Sequence, residues 1–222
     1  MFSIITVIAF SLISMFLLIS LYLDIKFRKI PNVYLKKFLA LSVILNVIEF
    51  VVLKKIEVSV LIFKIIFLIL IFLISFLLYV LKIIGGSDGK LIILIFLTHP
   101  VKFLNFSVII SFFLLFSLLY LLGFFFNSLT NTFTKNSFAF NFLFAIDPKI
   151  SILKRFYFKM FYNFKSSIKI RDFQNKKYLI ISSSIIYNFT NRKFQILIQY
   201  RIPLVLFLLL SYLILFLLII VI

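Results

Sequence analysis

The chain has 222 residues, is 64% hydrophobic with 33 phenylalanines, and has a mean hydropathy of +1.26. That much apolar surface exceeds what a soluble domain of this length can hide, so lipid is the solvent for most of the chain. Having no cysteine and a single histidine, His99, it is closed to disulfides, thiolate metal sites, cysteine nucleophiles and a multi-histidine metal site. A formal charge of +18 fits either nucleic-acid binding or a positive cytoplasmic bias with affinity for anionic headgroups, and the distribution of the charge decides between them.

Residues 2–23 form an uncharged run long enough to cross a bilayer. No basic region precedes the run and no small-residue cleavage site ends it, so a removable signal peptide is not expected. Lys26, Arg28 and Lys29 follow it, which predicts an outside N-terminus. Further spans are expected over about 34–53, 58–81, 89–99, 104–126 and 203–222, six crossings in all, of which 89–99 is short for a full span. Lys64 lies in the third, where its long side chain is expected to snorkel toward the interface. With this topology every Lys and Arg lies on the cytoplasmic side except Lys54, Lys55, Lys64 and Lys102. Topology thus accounts for the charge, and no nucleic-acid partner is required.

The expected fold is therefore a polytopic α-helical membrane protein of about six transmembrane helices, with a small, partly β cytoplasmic domain before the last one. Residues 1–126 make the five-span membrane domain, 127–202 the basic cytoplasmic domain and 203–222 the final helix. The middle segment opens polar (NSLTNTFTKNS), passes a turn at Asp147-Pro148, and ends in "KKYLIISSSIIYN" and "RKFQILIQY". These β-branched and aromatic runs predict an antiparallel hairpin.

Acidic residues number only 6, and two of them fall at one depth. Asp24 ends the first span on the inner side, and Asp88 lies at the inner junction of the third and fourth. Facing carboxylates near a low-dielectric region tend to share one proton. The ionised member then serves as general base on a water and the protonated one polarises a carbonyl. Such hydrolysis needs no cofactor and no metal. Gly85 and Gly86 suit a tight turn and a close approach of substrate backbone. Each acid also has an ordinary explanation: Asp24 as a helix-end acid beside Lys26 or Arg28, Asp88 as an N-terminal cap of the fourth span.

The flanking residues favour the first account. "DIKFRKIPNVYL" (24–35) followed by "GGSDGKLI" (85–92) resembles the type IV prepilin peptidases and archaeal preflagellin peptidases, intramembrane aspartyl proteases of the GxGD type. In the first motif Asp24, Arg28, Ile30, Pro31 and Asn32 fall in place. The second puts the other catalytic aspartate after a glycine turn, with lysine two residues on, as Asp88 and Lys90 stand here. Ser87 departs from the strict pattern, which has glycine before the aspartate. The resemblance implies that Asp24 and Asp88 are catalytic, that Gly85, Gly86 and Ser87 form the active-site turn, and that Arg28, Pro31, Asn32 and Lys90 support it. It also implies a multi-pass protein of the plasma membrane with its active site on the cytoplasmic side. Its substrates would be prepilin or archaellin precursors, cut between a short basic leader and a hydrophobic helix. No cysteine-rich insert or methyl-donor motif is present, so peptidase activity alone is expected.

Among the supporting residues, Pro31 restricts the loop, Asn32 suits the cap of the second span, and Lys90 either acts on the charge of Asp88 or anchors at the interface. His99 is expected in an exposed loop, Glu49 and Glu57 in ordinary interfacial pairs with Lys54 and Lys55, and Asp147 and Asp172 in surface ion pairs. The basic 127–202 segment, poorly suited to attract a basic leader, is assigned to contact with membrane lipids or to lid duty. The competing readings are a non-enzymatic membrane scaffold or assembly factor and a small transporter with a carboxylate relay.

Overall fold

A computed structural model describes residues 4–27, 29–52, 58–81, 83–133, 136–146, 150–165, 185–188, 193–199 and 203–221. Among the described residues eight helices and three strands follow in chain order: α1 (Ile4–Phe27), α2 (Asn32–Val52), α3 (Val58–Val80), α4 (Gly86–Thr98), α5 (Phe106–Phe133), α6 (Asn136–Ile146), α7 (Ile152–Phe161), β1 (Tyr162–Lys165), β2 (Ile185–Asn188), β3 (Lys193–Gln199) and α8 (Leu204–Val221). A single 3-10 turn, Val101–Phe103, links α4 to α5. Each of the six expected spans is a helix. Three stretches, Thr6–Phe27, Leu61–Val80 and Phe106–Phe133, are long and apolar enough to cross a bilayer, and Leu204–Ile219 is a shorter apolar helix. The protein is a helical membrane protein.

The chain packs as two compact units, one of residues 1–119 and 203–222, the other of residues 120–202. In the first, α4 is the hub: it touches α1, α2, α3 and α8, while α1 also packs along α8. Its apolar residues Leu91, Ile92, Leu94, Ile95 and Phe96 are buried, whereas α1, α2 and α3 keep one face exposed to lipid. Aromatic side chains close the hub. Phe16 of α1 stacks on Phe38 of α2 with centroids 3.6 Å apart, and Phe96 meets Phe112 edge-on at 5.0 Å.

In the second unit an antiparallel sheet of order β1-β3-β2 packs on α6 through Ala139, Phe140, Phe144, Phe164 and Leu197. The predicted hairpin is β2 with β3, Asn188 opposite Lys193; β1, pairing Tyr162 with Gln199, was not legible in the sequence. Nor were α6 and α7. The whole "KKYLIISS" run, the Asp147-Pro148 turn and Asp172 lie outside the described residues.

Two helices outrun their apolar segments. The first continues beyond residue 23, so Asp24 sits inside its last turn. The fifth continues through "NSLTNTF" to Phe133, a stretch whose polarity reads as the start of the following domain. Its hydroxyls turn back onto their own helix, Thr130 Oγ1 donating to Asn127 O at 2.9 Å and Thr132 Oγ1 to Ser128 O at 2.7 Å, which satisfies them without ending it.

Candidate active site

The second motif opens α4. Gly85 precedes the helix in an ordinary extended conformation, φ −77° and ψ 158°, so no left-handed turn demands glycine there. The reason is space. A Cβ on Gly85 would stand 2.8 Å from Asp88 Oδ2, and that oxygen accepts a hydrogen bond from the Gly85 backbone N–H at 3.1 Å. Asp88, three residues into the helix, thus folds back to satisfy an amide that the helix leaves orphaned. At Gly86 an added Cβ would make only ordinary contact with the Tyr79 ring, at 3.5 Å. Ser87 is a regular helical residue, a position any side chain can hold, which explains how serine stands where the strict pattern has glycine.

The first motif closes α1 and opens α2. Asp24 is half-buried in the last turn of α1, and its carboxylate acts on Asp88 as a like charge. Ile30 is buried, and the Pro31 carbonyl accepts from Tyr34 N at 3.0 Å, starting α2. Asn32 is the first residue of that helix, and its Oδ1 accepts from Lys90 Nζ at 3.3 Å. Lys90 and Asn32 therefore tie the second motif to the first across 58 residues of chain. Arg28 lies outside the described residues. Two half-buried carboxylates, a cationic side chain two residues beyond one of them and a polar loop are thus gathered at one mouth of the bundle. Among the described residues no three His, Cys, Asp or Glu side chains group as metal ligands.

At the other end of α4 the structure overturns three expectations. His99 is fully buried, edge-on to Phe10 at 5.3 Å between centroids and with Nδ1 3.5 Å from Tyr212 Oη. Lys64 does not snorkel: it is 8% exposed, donates to Asn46 Oδ1 and to the His99 carbonyl at 3.2 Å, and lies 3.9 Å from Glu49 Oε2. Glu49 is buried, 5% exposed, with Lys64 beside it, and accepts from Val101 N at 3.0 Å; Lys54, Lys55 and Glu57 lie outside the described residues. Asn46 also donates to Leu97 O at 3.0 Å, and Ser42 meets Thr98 at 2.6 Å.

The physical reason is the length of α4. Its 13 residues rise only about 20 Å, short of a hydrocarbon core of about 30 Å, and backbone polar groups at such an end need partners from protein. The second and third helices supply them. The signal was present in the sequence: Ser42, Asn46 and Glu49 recur at intervals of four and three, a polar stripe on one face of an apolar helix.

An apolar helical bundle with long membrane-spanning stretches and one aspartate in each of two linked motifs defines the class: a helical membrane protein. The chain belongs to the type IV leader peptidase family, whose family model matches residues 11–122, a stretch that contains both aspartates and ends before most of the second unit. No curated protein and no solved structure matches the chain at a significant level.

Proposed function

We propose that the chain is an intramembrane aspartyl endopeptidase that removes the short basic leader from prepilin-like or preflagellin (archaellin) precursors at the cytoplasmic face of the plasma membrane. Asp24 and Asp88 are its catalytic pair. The observation that carries this reading is the bond from Lys90 Nζ to Asn32 Oδ1, which joins the two aspartate-bearing motifs across 58 residues of chain; the like charge of Asp24 acting on Asp88 is consistent with it. Membership in a leader peptidase family supplies the reaction class. The reading takes six crossings from the apolar runs and an outside N-terminus, supported by the basic residues, which on that topology concentrate on the side of both aspartates.

The chemistry follows from the pair holding one proton between them. The ionised carboxylate takes a proton from water as the water oxygen bonds to the scissile carbonyl carbon. The protonated one gives its proton to the carbonyl oxygen, forming a tetrahedral diol. As the C–N bond breaks, the first carboxyl protonates the departing nitrogen and a hydroxyl returns its proton to the second. Both products leave and the shared proton is restored. A precursor whose basic leader stays in the cytoplasm and whose apolar helix lies in the bilayer presents its junction at this depth.

Membranes carrying the wild type, Asp24→Asn or Asp88→Asn are mixed with a tagged prepilin-like precursor, and the product is mapped by mass. Wild type is expected to cut at the leader–helix junction and each variant to lose at least about 10³-fold, within the range general acid–base catalysis supplies. Full cleavage by either variant removes the pair. A folded wild type that cuts none of several precursors moves the weight to an assembly scaffold.

A further inference from the structure

The second unit carries a surface that the peptidase reading leaves unused. On α7 (SILKRFYFKMF with its capping Ser151) Ile152, Leu153, Phe156 and Tyr157 recur at i, i+1, i+4 and i+5, one helical face. All four are exposed, Ile152 at 84% and Leu153 at 82%. The opposite face is already used. Phe158 packs on the unit's core, Phe161 packs on Phe124 with centroids 4.4 Å apart, and Arg155 lies over the Phe144 ring at 5.5 Å. Lys154 and Lys159 flank the exposed face.

Where this face lies in space is fixed by α5. The uncharged apolar run of α5, residues 106–126, rises about 31 Å, close to the thickness of a hydrocarbon core, and polar residues begin at Asn127. Asn127 Nδ2 donates to Met160 O at 2.8 Å, and Asn131 Nδ2 donates to Lys159 O at 2.8 Å and Tyr162 O at 2.7 Å. Both asparagines are buried. They bind the carbonyls that end α7 and so hold it within about a turn of the hydrocarbon boundary.

We infer that α7 is an in-plane membrane anchor: its Ile152–Leu153–Phe156–Tyr157 face enters the acyl boundary of a bilayer, while Lys154 and Lys159 meet anionic headgroups. An apolar face at headgroup depth, bordered by lysines, matches that of an interfacial helix.

The natural chain has no cysteine, so the full protein with Leu153→Cys, Phe156→Cys or Lys154→Cys takes one environment-sensitive fluorophore each. The labelled proteins are reconstituted in phosphatidylcholine vesicles, alone or with an equal part of phosphatidylglycerol, containing lipids brominated near the top of the acyl chain. At Leu153 and Phe156 the emission is expected to shift to the blue and be quenched, as for a label about 5–10 Å below the surface, more so with phosphatidylglycerol. At Lys154 it stays water-like. Water-like emission at all three positions overturns the anchor. A blue shift without bromine quenching also overturns it, since the face is then covered by protein, a second copy included. Adding Lys154→Glu to Leu153→Cys is expected to abolish the phosphatidylglycerol effect, and an effect that survives overturns the headgroup contact.

Discussion

Both ends of α4 bring a carboxylate into a crowded, largely apolar setting, and they treat it in opposite ways. At the far end Glu49 stands against Lys64 and accepts from the Val101 amide, and Lys64 in turn bonds Asn46 and the His99 carbonyl. Every charge there meets an opposite charge or a backbone dipole. At the near end Asp88 has one backbone amide and, as its charged neighbour, another carboxylate. The first arrangement offsets the cost of burying its charges, whereas a like-charged neighbour adds to that cost. A like-charge pair therefore needs a reason beyond folding, and acid–base chemistry on a peptide bond is one.

The comparison breaks most visibly at the far end. Lys64→Met leaves Glu49 buried without its cation and should cost about 3–5 kcal/mol of stability, read as a fall in the unfolding midpoint in detergent. Combining it with Glu49→Leu removes the stranded charge, so the double variant should be more stable than the sum of the single changes implies. It should not regain wild-type stability. The Val101 amide and the His99 carbonyl then lose their partners, at about 1–3 kcal/mol for each group left unsatisfied. A double variant as stable as the wild type would mean that the cluster does not serve the end of α4.

The near end sharpens the contrast between two adjacent glycines. Gly85→Ala sets a methyl where Asp88 Oδ2 now lies, so the carboxylate must swing away and drop its bond to the Gly85 amide. Displacement of a reacting group by about an ångström can cost roughly 10²-fold in rate, and kcat should fall on that scale with little change in the unfolding midpoint. Gly86→Ala meets only the Tyr79 ring at van der Waals distance and should stay within about 0.5 kcal/mol in stability, with activity kept. Equal losses of cleavage in the two variants would tie the glycines to backbone freedom instead of to the space for Asp88.

The two motifs were legible in the sequence because they depend on residue type and spacing, and spacing is what a chain displays. Helix ends were less so. Hydropathy stops at Asp24 and at Asn127, but hydrogen bonding does not, and both helices run on. Lys64 reads as a snorkelling lysine because its partner is chosen by the packing of α3 against α2 and α4, which no local window contains. His99 reads as a loop residue beside Pro100, yet the short α4 ends within the bundle and carries it inside. The stripe Ser42, Asn46, Glu49 was visible, and a polar stripe on a span that must satisfy the end of a neighbour is the pattern to seek in chains of this kind. Gly85 and Gly86 read as a tight turn; the structure adds that Gly85, in ordinary extended backbone, leaves room for the Asp88 carboxylate.

The smallest effect belongs to the link between the motifs, and it separates two roles for Lys90. The bond from Lys90 Nζ to Asn32 Oδ1 is exposed and 3.3 Å long, worth about 0.5–1.5 kcal/mol, so Lys90→Ala should slow cleavage no more than about tenfold. If Lys90 acts by holding α2 to α4, Asn32→Ala should slow cleavage to the same degree, and the two changes together should cost no more than either alone. Lys90→Gln, which can still donate to Asn32, should then keep most of the activity. If Lys90 acts instead through its charge on the aspartates, Lys90→Gln should behave like Lys90→Ala and move the pH profile of kcat/KM, while Asn32→Ala leaves that profile in place. The geometry favours the first outcome, because the bond that Lys90 makes is to Asn32 at the start of α2.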